Sequence, residues 1–302
     1  MGARMLGWVL VLAACVGCDD GAVPGPSEPA PFLEGLPTAS LYVSAAGSGF
    51  VYALDQRTFR ATKLVPGTYP TITPDGRLVT VDGRGLVEWT PGEPGSRVIV
   101  PLAIGGPGTP RFDDTFRMPA VSPDGRFVAY DDGLGGLYIV NRSSGDLLAS
   151  FVGENVFVGF EHATWGAENL LVFSGRSEDA GLYRSSPPWT SHEPISFLYP
   201  APRWPSISTD GTEMLVMHGD DLFRTDIDGR LKGGSATPTF LGYDPFWLTD
   251  GAGIGYVRFF DGYVDDVILL TSDGSPALSL LGERPAWLFD TAIGLGPGIG
   301  VR

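Results

Sequence analysis

The sequence predicts an all-β fold built from repeated small sheets, and three observations carry that prediction. Glycine and proline, with 43 and 26 residues, make up more than a fifth of the 302-residue chain, which suits many short strands joined by tight turns. Hydrophobic residues reach 43%, enough for a substantial core, and no long segment beyond the N-terminus has a helical period. A motif that typically ends in Asp-Gly recurs every 40 to 49 residues, which is the length of one four-stranded propeller blade.

Six segments align without gaps and define the repeat. They read YPTITPDG, MPAVSPDG, HATWGAEN, WPSISTDG, DPFWLTDG and RPAWLFDT, and they begin at Tyr69, Met118, His162, Trp204, Asp244 and Arg284. Proline in the second column suits the first residue of a strand, and the large apolar residues of the fourth column are expected to pack between neighbouring blades. The aspartate and glycine that follow predict a hairpin turn, because aspartate accepts hydrogen bonds from nearby amides and glycine adopts a left-handed conformation.

The two ends of the repeat region predict how the ring closes. The last repeat has expected strands at Pro285–Leu288 and Ala292–Leu295, whereas residues 41–64 carry later strands without an Asp-Gly start. Joining them in one blade predicts a six-bladed β-propeller that is closed by N- and C-terminal strands. Seven blades are the alternative, if the C-terminal residues form a sheet of their own.

The N-terminal segment is expected to contain a targeting signal and a tether. Residues 1–14 are predicted to be a lipoprotein signal peptide, because Arg4 precedes an apolar run that is too short to span a bilayer as a helix. The run ends in Leu12-Ala13-Ala14-Cys15, which resembles a bacterial lipobox and makes Cys15 the expected lipidation site. Cys18 is the competing site, and an ordinary cleaved signal with two incidental cysteines is a third interpretation. Residues 15–37 form the lipidated cysteine and a proline-rich tether, and residues 38–302 form the propeller domain.

Two segments carry a family resemblance. MPAVSPDGRFVAYDD from Met118 and WPSISTDGTEMLVM from Trp204 resemble the TolB-like, WD-like propeller repeat, and the resemblance covers about residues 41–302. That family includes periplasmic binding and scaffolding domains and the propeller domains of some serine peptidases. The resemblance therefore implies the fold more specifically than the function.

Several function classes are disfavoured by composition and motifs. A net charge of −15 disfavours nucleic-acid binding, since phosphate backbones would repel such a surface. The hydrolase elbow G-x-S-x-G does not occur in the sequence, and the histidines are too scattered for a metal motif. A quinoprotein-like interpretation of residues 49–64 lacks the Thr-Gly pair that such repeats carry. We expect no cofactor, no metal site and no catalytic residue.

The variable residues at the start of each repeat are the candidate binding surface. While the frame behind them repeats, their chemistry changes from blade to blade, and the first strand of a blade lines the central channel. We expect a rim at the channel mouth, since aromatic and arginine side chains anchor interfaces. The candidate rim residues are Tyr69, Met118, His162, Arg203, Trp204, Asp244 and Arg284. Ordinary loop residues are the alternative interpretation.

The predicted function is a non-catalytic binding or scaffolding module that is lipid-anchored in the bacterial cell envelope and faces the periplasm or the cell exterior. Its expected partners are the membrane, through the anchor, and a protein or cell-wall component. The alternative is a propeller enzyme, such as a hydrolase, a lyase or a quinoprotein-like protein, with a small-molecule site in the channel. Carboxylates and a histidine that converge there would favour the enzyme.

Overall fold

The computed structural model describes residues 40–45, 49–55, 61–102, 117–152, 159–176, 180–196, 201–208, 210–219, 221–232, 242–247, 253–260, 263–271 and 276–279. All of them fall within one compact unit, Pro31–Arg302. In this part of the chain the prediction of an all-β fold is confirmed, since it forms six antiparallel sheets. No helix within these ranges has the length and apolar character needed to cross a membrane.

The first three sheets follow one another along the chain. Sheet 1 contains β1 (Ser40–Ala45), β2 (Phe50–Asp55) and β3 (Ala61–Pro66). Sheet 2 contains β4 (Thr68–Ile72), β5 (Leu78–Asp82), β6 (Gly85–Trp89) and β7 (Arg97–Pro101). Sheet 3 contains β8 (Arg117–Val121), β9 (Phe127–Asp131), β10 (Gly136–Asn141) and β11 (Leu147–Val152).

The next three sheets continue the same pattern. Sheet 4 contains β12 (Phe160–Trp165), β13 (Leu171–Gly175), β14 (Gly181–Ser185) and β15 (Glu193–Ile195), with a 3-10 turn at Ala167–Asn169. Sheet 5 contains β16 (Arg203–Ile207), β17 (Glu213–His218) and β18 (Asp221–Asp226). Sheet 6 contains β19 (Gly242–Trp247), β20 (Gly253–Phe260), β21 (Tyr263–Thr271) and β22 (Pro276–Ser279).

Each sheet is an antiparallel meander, and the sheets meet through their first strands. In every sheet the strands lie side by side in chain order. The first strands β1, β4, β8, β12, β16 and β19 pack against one another in succession, and each also contacts the second strand of the preceding sheet. The first strands therefore form an inner row, and the last strand of each sheet lies farthest from it. This arrangement places one repeat in one sheet, as the alignment predicts.

The closure of the ring lies outside the described residues. β1 packs against β4 just as β4 packs against β8, so β1 takes the inner position of sheet 1. The sequence-based arrangement instead assigns that inner position to a C-terminal strand. Because Pro285–Leu288 and Ala292–Leu295 are not described, the shared blade and the number of blades stay predictions.

The Asp-Gly segments form hairpin turns, as predicted. Gly76, Gly125 and Gly211 adopt left-handed φ values of 77°, 72° and 72°. In each turn the glycine N–H donates to the carbonyl three residues earlier, as from Gly76 to Thr73 over 2.9 Å. The Asp124 carboxylate accepts from the Arg126 amide over 3.0 Å. The aspartates therefore hold the turns.

The fourth column of the repeat joins neighbouring sheets. Trp165 is buried, and its Nε1–H donates to the Ala120 carbonyl of the preceding first strand over 2.9 Å. Trp247 repeats the contact one sheet later, donating to the Ser206 carbonyl over 2.9 Å. Ile207 belongs to an apolar cluster that contains residues of both sheet 4 and sheet 5. The predicted packing between blades is confirmed at these positions.

We predict that Trp165→Phe lowers the free energy of unfolding by about 2 kcal/mol, because the buried Ala120 carbonyl loses its donor. Urea denaturation followed by circular dichroism measures the change. The control is Leu147→Ala at an exposed position, which should stay within about 0.5 kcal/mol of the parent chain. Equal stability of Trp165→Phe and the parent would show that the hydrogen bond contributes nothing.

Candidate functional site

The first residue of each described repeat lies at a β-bulge inside the first strand, rather than in a loop before it. Tyr69, Met118, His162 and Trp204 have left-handed φ values of 50°, 46°, 50° and 51°, which non-glycine residues rarely adopt. At each of them the register with the second strand shifts by one residue. The same shift spans Tyr243 to Phe246 in β19, so Asp244 occupies the equivalent position. Because a bulge adds an unpaired residue to a strand, it can re-aim a side chain without a loop.

Proline in the second column fits this bulge. The ladder of hydrogen bonds is interrupted there, so the missing proline N–H costs little at Pro70, Pro119 and Pro205. Proline is not required, because Ala163 takes its place in β12 and the bulge at His162 persists. The repeat therefore specifies a backbone geometry that several residue types can occupy.

The bulges define one edge of the sheets, which we call the bulge edge. It comprises the starts of the first strands and the ends of the second strands, for example Arg117 opposite Asp131 and Arg203 opposite Met217. The Asp-Gly hairpins lie at the other ends of the same strands, which we call the turn edge. Variable residues and turn residues are thus held at opposite edges.

Two of the predicted rim residues are brought into contact. The rings of His162 and Trp204 lie edge to face with centroids 5.7 Å apart, so side chains of sheets 4 and 5 meet. The backbone N–H of Trp204 donates to Ser174 Oγ over 2.9 Å, which ties β16 to β13. Arg203 is exposed beside them.

The remaining predicted site residues are distributed as follows. Tyr69 and Met118 are half-buried at their own bulges. Only the backbone position of Asp244 is described. Arg284, Cys15 and Cys18 lie outside the described residues, so the lipidation site and that part of the rim stay predictions.

Three charged residues lie around His162, and together with it they form what we call the Asp131 cluster: Asp131, Glu161, His162 and Arg176. Asp131 ends β9, Glu161 and His162 lie in the first half of β12, and Arg176 follows β13. Arg176 Nε donates to Glu161 Oε2, and Glu161 Oε1 lies 3.6 Å from His162 Nδ1. The Gly133 N–H donates to Asp131 Oδ1 over 3.0 Å, and the Gly133 carbonyl accepts from Arg176 over 2.9 Å.

The two carboxyl groups of this cluster have pKa values pushed in opposite directions. Burial raises the pKa of Asp131, and the nearby charge of Glu161 raises it further, against the opposing effect of His162 and Arg176. Burial also acts to raise the pKa of Glu161, but hydrogen bonds and charge from His162 and Arg176 lower it to about 2. Two neighbouring carboxyl groups whose pKa values are pushed apart are a pattern found at acid–base sites. Asp131 is buried, so Glu161, His162 and Arg176 are the members that a ligand could contact.

Asp131 and Arg176 are not among the residues that sequence reasoning selected. The available signal is a charge at the end of an apolar strand, as in Phe127–Asp131. A charged residue that only begins a turn gives the same sequence pattern. Within the described ranges, no group of three or more histidine, cysteine and carboxylate side chains is placed to hold a metal ion.

The turn edge carries an ion network that links sheets 2 and 3. Arg142 Nε donates to Glu88 Oε2, and its NH2 group donates to Asp75 Oδ2 over 2.9 Å. Glu88 also accepts from Arg77 over 2.9 Å and from Arg97 over 3.1 Å. With Arg142 and Glu88 side chains only 9% and 1% exposed, this is a buried structural clamp.

Comparisons with known proteins place the fold. No family model and no curated protein matches the chain. Among solved structures, TolB from Acinetobacter baumannii is similar, with a TM-score of 0.60 and 16% identity over 80% of this chain and 63% of that one. A putative TolB from Agrobacterium tumefaciens matches with a TM-score of 0.55 and 16% identity over 87% of this chain and 92% of that one. A streptogramin B lyase matches with a TM-score of 0.53 and 12% identity over 83% and 85%.

These likenesses and the six described sheets show a TolB-like β-propeller fold. The chain spans 63% of the length of the Acinetobacter TolB. At such low identities the likeness shows the fold alone, since one fold hosts many functions.

We predict that Arg142→Met costs about 3 kcal/mol of unfolding free energy, because it leaves Glu88 with less compensation in a buried position. The matched control is Arg126→Met, which removes a surface pair with Asp124 and should cost less than about 1 kcal/mol. Both values come from urea denaturation at neutral pH.

The same clamp predicts a pH dependence. Burial acts to raise the pKa of Asp75, but Arg142 and Thr73 lower it to about 2, and the pKa of Glu88 is likewise lowered, by Arg142, Arg77 and Arg97 against its burial. A carboxylate whose pKa is lowered by folding stabilises the folded chain at pH values above its ordinary pKa. This contribution is lost as the pH falls towards the lowered pKa. Stability should therefore fall on acidification from about pH 4.5 to pH 2, and less steeply in Arg142→Met. An unchanged slope in that variant would contradict the assignment.

Proposed function

We propose that this protein is a binding or scaffolding module of the bacterial cell envelope that contacts a protein or cell-wall component through its bulge edge. The observation that carries the proposal is the recurrence of a left-handed, non-glycine bulge residue in four successive first strands. Strained backbone of this kind persists where the surrounding structure determines it, and it concentrates at functional sites.

The residues at the bulges have the chemistry of contact anchors. Trp204 and the exposed Arg203 adjoin, and His162 packs against Trp204. Tryptophan, tyrosine and arginine are the side chains that most often carry the energy of protein interfaces. A frame that is the same in each sheet thus presents different groups along one edge, as a partner with an extended contact surface requires.

The proposed location rests on the N-terminal sequence. Lipidation at Cys15, or at Cys18 as the alternative, would anchor the chain, and residues 19–37 would hold the propeller away from the bilayer. The protein would then face the periplasm or the cell exterior, with the membrane as its first partner.

An enzyme is the second candidate, and the Asp131 cluster favours it. A buried acid, an ionised Glu161 and His162 converge where the first strands line the inner row. Such a group could transfer protons in a hydrolase or lyase reaction on a small molecule in the channel. A metabolite that raises the melting temperature of the parent chain but not of His162→Gln would favour this candidate.

The partner proposal predicts the outcome of affinity capture from envelope extracts. Arg203→Ala should lose the proteins or cell-wall fragments that the parent chain retains, with recovery falling about tenfold, because truncation of a contact anchor costs more than 1 kcal/mol. The matched control is Arg230→Ala, an exposed arginine at the turn edge of the same sheet, which should retain them. Equal recovery by Arg203→Ala and Arg230→Ala would show that the bulge edge is not the contact surface.

The anchor is tested separately. Cells that express the parent chain and are fed labelled palmitate should incorporate label, and Cys15→Ser should abolish incorporation whereas Cys18→Ser should not. The opposite result would assign the lipid to Cys18. Full incorporation in the double variant would rule out both cysteines.

A further inference from the structure

The outermost strand of sheet 3, β11, is an unusually open edge. Leu147, Leu148 and Val152 are 59%, 43% and 63% exposed, and they account for most of the large exposed apolar residues in the described ranges. β11 pairs with β10 on one side and lies at the end of the sheet on the other. Its second side therefore presents backbone amides and carbonyls with apolar side chains around them.

β11 differs from the outermost strands of the other described sheets in lacking charges and proline. An exposed edge invites pairing with another chain, and proteins usually prevent this with charges, proline or very short strands. Each of the others has at least one of these features, namely Lys63 and Pro66 in β3, Arg97 and Pro101 in β7, Glu193 and Pro194 in β15, three charges in β18 and Pro276 in β22. The sequence of β11, LLASFV, contains neither a charge nor a proline. The β-bulge at Leu148 does not set β11 apart, because β3, β7 and β22 carry the same register shift.

A polar groove of about 470 Å³ belongs to the neighbouring sheet 4. It is formed by residues 184–188 and 190–193, which connect β14 to β15 and include Ser186, Thr190, Ser191 and His192. The His192 ring packs against Phe151 of β11, with centroids 5.4 Å apart. Phe151 is buried, so this contact joins the covered side of β11 to sheet 4 and leaves Leu148 and Val152 exposed.

We propose that β11 binds an extended, uncharged segment of a partner protein by adding it as a fifth strand to sheet 3. Main-chain hydrogen bonds would supply affinity, and apolar side chains at alternate positions would pack on Leu148 and Val152. A second copy of this chain is the less suitable occupant. Stable interfaces between two folded proteins bury roughly 1,200 Å² or more, so a second copy would need contacts beyond β11, whereas an extended segment can pair with the strand alone. Two chains of net charge −15 also repel each other.

The test uses the full chain and a fluorescent peptide of alternating valine and threonine as the probe. Hydrogen exchange measured by mass spectrometry should show slower exchange, by about tenfold, in the β11 amides when the peptide is present. Val152→Lys adds the charge that β11 lacks, and it should weaken peptide binding about tenfold in fluorescence anisotropy. The matched control is Val98→Lys on β7, an exposed valine of another outermost strand, which should bind as the parent does.

Three results would overturn the proposal. The first is absence of peptide binding by the parent chain, and the second is protection of other outermost strands to the same extent as β11. The third is a concentration-dependent dimer in sedimentation velocity that Val152→Lys abolishes, which would assign β11 to self-association. Circular dichroism of both lysine variants should match that of the parent chain, so that a loss of binding reports on the edge itself.

Discussion

A large apolar residue holds each of the first strands β12, β16 and β19 against the preceding sheet, and the positions of both edges depend on that contact. In β12 it is Trp165, whose ring packs in an apolar cluster shared with sheet 3 and whose Nε1–H reaches the Ala120 carbonyl. In β19 it is Trp247, with the Ser206 carbonyl as acceptor. The ring supplies buried apolar area, while the hydrogen bond fixes how far along the preceding strand the ring sits. The bulge lies three residues before this position in the repeat, so its location is fixed too.

The consequence is a separation of stabilising and variable chemistry between the two edges. At the turn edge, Arg142 and Glu88 are buried and paired, so substitution of Arg142 leaves Glu88 with less compensation. At the bulge edge the same backbone carries tyrosine, methionine, histidine or tryptophan. These side chains can change because the backbone beneath them is held from elsewhere. A propeller can therefore acquire a new contact surface without losing its fold.

The Asp131 cluster is held at a cost to stability. Since the pKa of Asp131 in the folded chain is raised above its ordinary value, the folded state binds protons more tightly than the unfolded state. Its contribution to stability is therefore greatest in acid and declines as the pH rises through that raised value. The ionised Glu161 behaves in the opposite way, because Arg176 and His162 compensate its charge. Perturbed titratable groups concentrate at functional sites, and for this reason the cluster favours the enzyme as the second candidate.

The sequence by itself determined the repeat, the turns and the packing residues of the fourth column. These depend on bonds between residues only a few positions apart, such as the amide of Arg126 and the carboxylate of Asp124, and on the burial of single large side chains. The tertiary structure alone decided the bulges, since a left-handed histidine or tryptophan is unfavourable by itself and is adopted because the neighbouring strands require it. It also decided the Asp131 cluster and the pairing of Arg142 with Glu88, 54 residues apart, and it left β11 uncovered. The physical reason is that turn chemistry is local along the chain, whereas charge pairing and exposure depend on distances in space.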